Sequence, residues 1–179
     1  TNIVVKNISI KDDKIPSGFN GFRIALFSDL HIGSLLSAEQ EISTLTNTVN
    51  SLKPDMVIFA GDLLHIRHTE ITPKIADLLS SIKAPHGVYS VLGNHDTGIY
   101  IQDSISLPRN QNIRHLNAKI NQIGWTMLQD STIYAVKGRD SIAVTGIDFT
   151  DALLEYKHSF STPDNFSADE IFTEIPEDV

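Results

Sequence analysis

Three apolar runs, FRIALFSDL (22–30), DMVIFAGDLL (55–64) and GVYSVLG (87–93), are separated by two stretches of helical periodicity. This alternation constrains the fold more than any other feature of the chain. Runs of β-branched and bulky residues without polar alternation are strands covered on both faces. Between the first two, Ala38, Ile42, Leu45, Val49 and Leu52 step by four and three along one helical face. Ser37 and Gln40 form a capping-box pattern at its start, and Lys53-Pro54 ends it. A second helix is expected over 72–83, with Pro73 in its first turn and Ile75, Leu78, Leu79 and Ile82 inward. The order β-α-β-α-β predicts an α/β fold with a largely parallel sheet.

Around this centre the signals are shorter. Residues 3–10 read as a further strand, followed by a turn-rich stretch over 11–21. A third helix is expected at 111–123, with Ile113, Leu116, Ile120 and Ile123 on one face. WTMLQD, STIYAVK and SIAVTGID then suggest an antiparallel meander in a second sheet. A short helix is expected near Thr150, and 159–179 turns polar. With 179 residues and 41% hydrophobic content, the whole chain, 1–179, reads as a single domain.

Composition removes several functions. A net charge of −8 argues against a broad nucleic-acid-binding surface. It leaves a phosphorylated substrate open, because bound divalent cations invert the local field. The absence of cysteine excludes thiolate metal sites and cysteine nucleophiles. No apolar run approaches the ~18–20 residues that span a bilayer. The chain opens in TNIVVKNISI without an initiator Met, which we read as a processed or trimmed terminus. Membrane association is then expected only through a removed N-terminal segment, and the location cytoplasmic or peripheral to a membrane.

Each central run ends in polar residues: Ser28-Asp29-Leu30-His31, Gly61-Asp62 and Gly93-Asn94-His95-Asp96. Parallel strands place their C-terminal tips at one edge, where ligand sites of open α/β sheets lie. Asp29, His31, Asp62, Asn94 and His95 are thus expected in one crevice. Carboxylates, imidazole and an amide oxygen suit Mn, Fe, Zn or Mg rather than soft metals. Gly61 and Gly93 fit backbone that turns sharply or approaches another group closely. A lone strand-end Asp or His is ordinarily a cap or a hydrogen-bonded structural residue; three such tips together favour a metal site.

D-x-H, G-D and G-N-H-D, in this order on strand ends, resemble the calcineurin-like metallophosphoesterases, particularly their small bacterial phosphodiesterase branch. The resemblance implies a four-layer αββα sandwich and metal-dependent hydrolysis of phosphoesters by a dinuclear centre with a metal-activated hydroxide. Asp29 and His31 would hold the first of two divalent ions, Asp62 would bridge both, and Asn94 would hold the second. His95 would be general acid or transition-state stabiliser. Manganese is the expected metal, and a phosphorylated small molecule or lipid-linked compound the expected substrate.

Two departures accompany the likeness. The related motif G-D-x-x-D, whose last Asp helps orient the catalytic His, reads GDLLH here, with His65 in that place. An imidazole is no fixed anion, and Asp96, adjacent to His95, is expected to point elsewhere. His65 and His68 are expected as two solvated loop histidines. After His95 the chain has only His115, a helix polar-face residue, and His158, an exposed helix end, where the family carries further metal-binding histidines. The chain thus reads as the N-terminal two-thirds of such a domain, C-terminally truncated. The competing reading is a catalytically silent binding or scaffold domain with an incomplete site. A flavodoxin-like or Rossmann nucleotide binder also suits the βαβ pattern, but the first strand runs into SDLHIG without a G-x-G-x-x-G.

Overall fold

The computed structural model describes residues 3–101, 109–147 and 149, all within the unit Thr1–Phe149. Its element order is β1 (Ile24–Phe27), α1 (Ala38–Ser51), β2 (Met56–Phe59), α2 (Pro73–Ser80), β3 (Val88–Ser90), α3 (Arg109–Gln122), β4 (Thr126–Met127), β5 (Ser131–Lys137) and β6 (Asp140–Gly146). Strands β1 to β4 form one sheet in that order, with every neighbouring pair parallel. Strands β5 and β6 pair antiparallel in a second sheet. The α/β class and the parallel centre are as the sequence predicts.

Alternation along the strands separates two cores. Val57, Phe59 and Val88 face α1, α2 and α3, where they join Ile42, Val49, Ile75, Leu79, Leu116 and Ile120. Met56, with Ile58 and Tyr89, faces the β5–β6 hairpin and packs with Phe19, Ala135, Ile133 and Val144. The described residues thus supply three layers, helices on sheet on sheet. The Asp140 carboxylate ties the hairpin down by accepting the backbone N–H of Gly18 at 2.7 Å.

Several local expectations are corrected. Residues 3–10 form no strand, and Val4, Ile8 and Ile10 are exposed; β-branched composition alone does not make a strand. β1 is the sheet's edge, so its apolar run is covered less than expected, with Leu26 67% exposed. WTMLQD does not start the meander: Thr126 and Met127 pair with Tyr89 and Ser90 in the first sheet. At α1 the residue reaching back to Ser37 is Glu41, whose Oε1 accepts the Ser37 N–H at 3.3 Å, and Ser37's side chain makes no capping hydrogen bond. Thr72 caps α2 by accepting from the Ile75 N–H. The expected helix near Thr150, and His158, lie outside the described residues.

Candidate metal centre

The three strand tips are laced together beyond the strands themselves. The N–H groups of Asp29, His31 and Ile32 donate to the carbonyls of Gly61, Asp62 and Leu63, each at 3.0 Å. Holding this register requires left-handed backbone at Asp29 (φ 58°), His31 (φ 42°) and Asp62 (φ 61°). For non-glycine residues that conformation costs about 1–2 kcal/mol each, and such strain concentrates where a site is being shaped. Gly61, at φ 92°, sits so close to the third tip that a Cβ there would lie 2.7 Å from the Gly93 backbone nitrogen. A Cβ on Gly93 would strike Asp62 Oδ1 and the Asp62 backbone nitrogen. Both glycines are therefore close-approach residues, as their place in the sequence suggests.

Asp29, His31 and Asp62 converge as expected, one ligand atom from each lying within 4.8 Å of the others. His31 Nε2 is 3.8 Å from Asp29 Oδ1 and 4.0 Å from Asp62 Oδ2. These separations exceed hydrogen-bond length and lie within what two ligands of one cation span. His31 Nδ1 donates to the Leu64 carbonyl at 3.2 Å, which leaves the Nε2 lone pair for a ligand. Ser28 Oγ donates to Asp29 Oδ2, and the His95 backbone N–H donates to Asp62 Oδ1 at 2.8 Å. Each carboxylate is thus held through one oxygen while the other faces His31. This donor set fits a divalent metal.

Asn94 and His95 arrive from the third tip on a short 3₁₀ turn, His95–Thr97, with Asn94 preceding it. Asn94 Nδ2 donates to Tyr100 Oη at 2.9 Å. The Tyr100 ring lies over the His95 imidazole, 4.4 Å between centroids. His95 Nδ1 donates to the His65 carbonyl at 2.7 Å. The residue that replaces the expected orienting aspartate therefore still orients His95, through its main chain. Nor is the His65 ring a solvated loop side chain. It is half-buried, stacks on His95 at 5.7 Å and faces His31 edge-on at 6.2 Å. His68 is half-buried as well, with Nδ1 3.0 Å from Asn112 Oδ1 and its ring stacked on His115.

Two carboxylates carry the scaffold of the site, and sequence reasoning did not find their roles. Asp96 turns away from His95, as expected, and is 1% exposed. Its Oδ2 accepts from the N–H groups of Asp62 and Gly93, and its Oδ1 from that of Leu64, all within 2.9 Å. Burial pushes its carboxyl up to about 6 against the pull of these donors. Glu70 accepts from the N–H groups of Gly33 and His65 through Oε2, and from those of Ile66 and Arg67 through Oε1. One carboxylate thus fastens the second tip to the third, and the other fastens the first tip to the loop that carries His65. Residue type reveals neither role, because their partners are main-chain N–H groups, which every residue but proline carries.

This fold and this arrangement of strand tips belong to phosphoesterases of the calcineurin-like type. The calcineurin-like phosphoesterase family model matches residues 22–178, and the chain belongs to that family. Among its relatives, an uncharacterized metallophosphoesterase, YkuE, of Bacillus subtilis is 37% identical over 97 residues, 51% of this chain and 32% of its own. The UDP-2,3-diacylglucosamine pyrophosphatase LpxG of Chlamydia muridarum is 32% identical over 115 residues, 63% of this chain and 31% of its own. The matched region therefore spans about a third of the length of these relatives. A solved structure, the phosphopantetheinyl hydrolase PptH from Mycobacterium tuberculosis, aligns with 88% of this chain and 56% of its own at a TM-score of 0.47 and 18% identity. Among the described residues no helix is long and apolar enough to cross a membrane.

Proposed function

We propose that the chain carries the strand-tip metal site of a metal-dependent phosphoester hydrolase with a dinuclear centre. Asp29 and His31 would hold one divalent ion, Asp62 would contribute to both, Asn94 would hold the second, and His95 would be the proton donor. The observation that carries this reading is the convergence of Asp29, His31 and Asp62 with His31 Nδ1 committed to the Leu64 carbonyl. When bound, divalent ions supply Lewis-acid charge to phosphoryl oxygens and lower the pKa of an attacking water. Manganese suits this mixed oxygen and nitrogen set and is the metal to test first.

The remaining work falls to the chain. Asp62, gripped at Oδ1 by the His95 N–H, presents Oδ2 in a fixed direction. His95, with Nδ1–H committed to the His65 carbonyl, gives a proton from Nε2 to the leaving-group oxygen and is left as the neutral Nδ1–H tautomer. No ring reorientation is needed between the two states. The Tyr100 ring covers one face of this imidazole. The substrate class is a phosphorylated small molecule or lipid-linked phosphoester, a choice supported by the relative named for UDP-2,3-diacylglucosamine.

The test is a manganese count by elemental analysis paired with hydrolysis of an aryl phosphodiester. Asp62→Asn should lose both bound Mn²⁺ and hydrolysis. His95→Asn should keep the metal and lose hydrolysis by about 10²–10⁴-fold, the range for a general acid. Metal bound by the parent chain without any hydrolysis would favour the silent scaffold, for which His65 in the usual aspartate position is the motive.

A further inference from the structure

Three imidazoles meet in this site in a manner that phosphoester hydrolysis leaves unused. The rings of His31 and His95 lie edge to face with centroids 4.4 Å apart, and His65 completes the group. One ring nitrogen from each of the three lies within 4.8 Å of the others. Nδ1 of His31 is committed to the Leu64 carbonyl and Nδ1 of His95 to the His65 carbonyl, so both rings keep Nε2 for a ligand. The His65 ring makes no hydrogen bond among the described residues; only its main-chain groups do. All three side chains are half-buried, which limits competition from bulk water. Three nitrogen donors therefore stand beside a set of two carboxylates and one nitrogen, and His31 belongs to both.

We propose that these are alternative cation sites sharing His31, and that the chemistry of the ion selects between them. Mn²⁺ and Mg²⁺ prefer oxygen donors and take Asp29, His31 and Asp62. Imidazole-preferring ions late in the first row, Ni²⁺ and Cu²⁺ foremost and Zn²⁺ with them, take His31, His65 and His95. His31 has one available lone pair, so the two occupancies exclude each other. An ion in the histidine set also engages the nitrogen through which His95 would release its proton. Such an ion antagonises the oxygen-set metal instead of substituting for it. His65, which costs the site its usual carboxylate, is what creates the second choice.

The test needs no substrate. Equilibrium dialysis measures Ni²⁺ and Mn²⁺ affinity, each ion alone and then in competition, on the purified chain and on His65→Gln, His65→Phe and Asp62→Asn. Circular dichroism checks that each variant is folded, and His65→Phe keeps a ring stacked on His95 if the amide variant is not. Loss of the third imidazole should weaken Ni²⁺ by more than about tenfold, at least the effect of removing an outer-shell partner, and leave Mn²⁺ within about twofold. Asp62→Asn should do the reverse, and Ni²⁺ should displace Mn²⁺ from the parent chain. Unchanged Ni²⁺ affinity in folded His65 variants overturns the proposal, as does an equal loss of both ions. The Asp62→Asn result reports on the oxygen set, so failure of the hydrolase reading appears there and leaves the histidine result standing.

Discussion

The Asp96 carboxylate accepts the backbone N–H of Asp62 at 2.8 Å, and with the same oxygen the N–H of Gly93 at 2.9 Å. One buried oxygen thus fixes the distance between the second and third strand tips, and with it the place of Asp62 relative to His95. The neighbour of the proposed proton donor serves the main chain and leaves the His95 ring to another partner.

Replacing that oxygen should be costly. In Asp96→Asn the amide oxygen can keep two of the three N–H partners, but its NH₂ then faces the Leu64 donor. Asp96→Ala leaves all three donors buried and unpaired. Each orphaned buried donor costs about 1–3 kcal/mol, so urea denaturation should rank parent, Asn and Ala in that order, with at least about 3 kcal/mol lost in Ala. Mn²⁺ affinity should fall in the same order, since Asp62 loses its fixed place. An Asn variant as stable as the parent would show that the carboxylate is dispensable.

Glycine substitutions separate the site from the rest of the backbone. A Cβ on Gly93 collides with the Asp62 carboxylate oxygen and main chain, whereas one on Gly138 meets nothing within 4 Å. Gly93→Ala should therefore lose Mn²⁺ binding outright. Gly138, at φ 69° in the β5–β6 turn, pays only the left-handed backbone cost, so Gly138→Ala should lose about 1 kcal/mol and bind Mn²⁺ normally. Dialysis against Mn²⁺ with parallel thermal melts reads both outcomes.

What the sequence disclosed, and what it did not, follows from the range of the interactions involved. The runs at 22–30, 55–64 and 87–93 announce β1, β2 and β3 because core burial imposes a composition on them, and their polar tips announce the site. β4 is two residues long, too short to carry a period, and only its partner Tyr89 reveals it as a parallel strand. Residues 3–10 carry the β-branched residues of a strand without forming one. Glu70 and Asp96 hold main-chain donors, and a main-chain partner leaves no mark on residue type. His65 misled for the same reason: the substitution removes a carboxylate, while the orienting atom is a carbonyl that every residue possesses.

Glu70 offers a sharper test of that carbonyl. Its Oε2 accepts the His65 N–H at 2.6 Å and the Gly33 N–H at 3.0 Å. Glu70→Gln can retain one oxygen's pair of donors, and Glu70→Ala retains none. Loosening the peptide of His65 frees the His95 ring while Asp29, His31 and Asp62 keep their own lacing. Glu70→Ala should thus lower kcat for an aryl phosphodiester by about tenfold or more with KM little changed, the signature of lost transition-state interaction. Glu70→Gln should fall between it and the parent. Equal loss of bound Mn²⁺ and of kcat would instead mark Glu70 as a support of the whole first tip.

The stacked pair His68 and His115 sets a pH dependence of stability away from the proposed metal ligands. Burial holds the His68 imidazole below its usual value of 6.5; the hydrogen bond to Asn112 opposes this, and the positive charges of His115, Lys119 and Arg67 add to it. The folded chain therefore binds this proton less readily than the unfolded chain. Stability contributed by neutral His68 is fully present above the unfolded value and is lost as pH falls through the lowered folded one. Unfolding free energies measured in urea from about pH 7 to about pH 5 should drop more steeply for the parent chain than for His68→Gln, which cannot titrate. The two proteins are otherwise the same, so the difference between the two curves isolates this group. Parallel curves would mean that His68 takes up its proton equally well folded and unfolded, and that its burial against Asn112 and the His115 ring exacts no electrostatic cost.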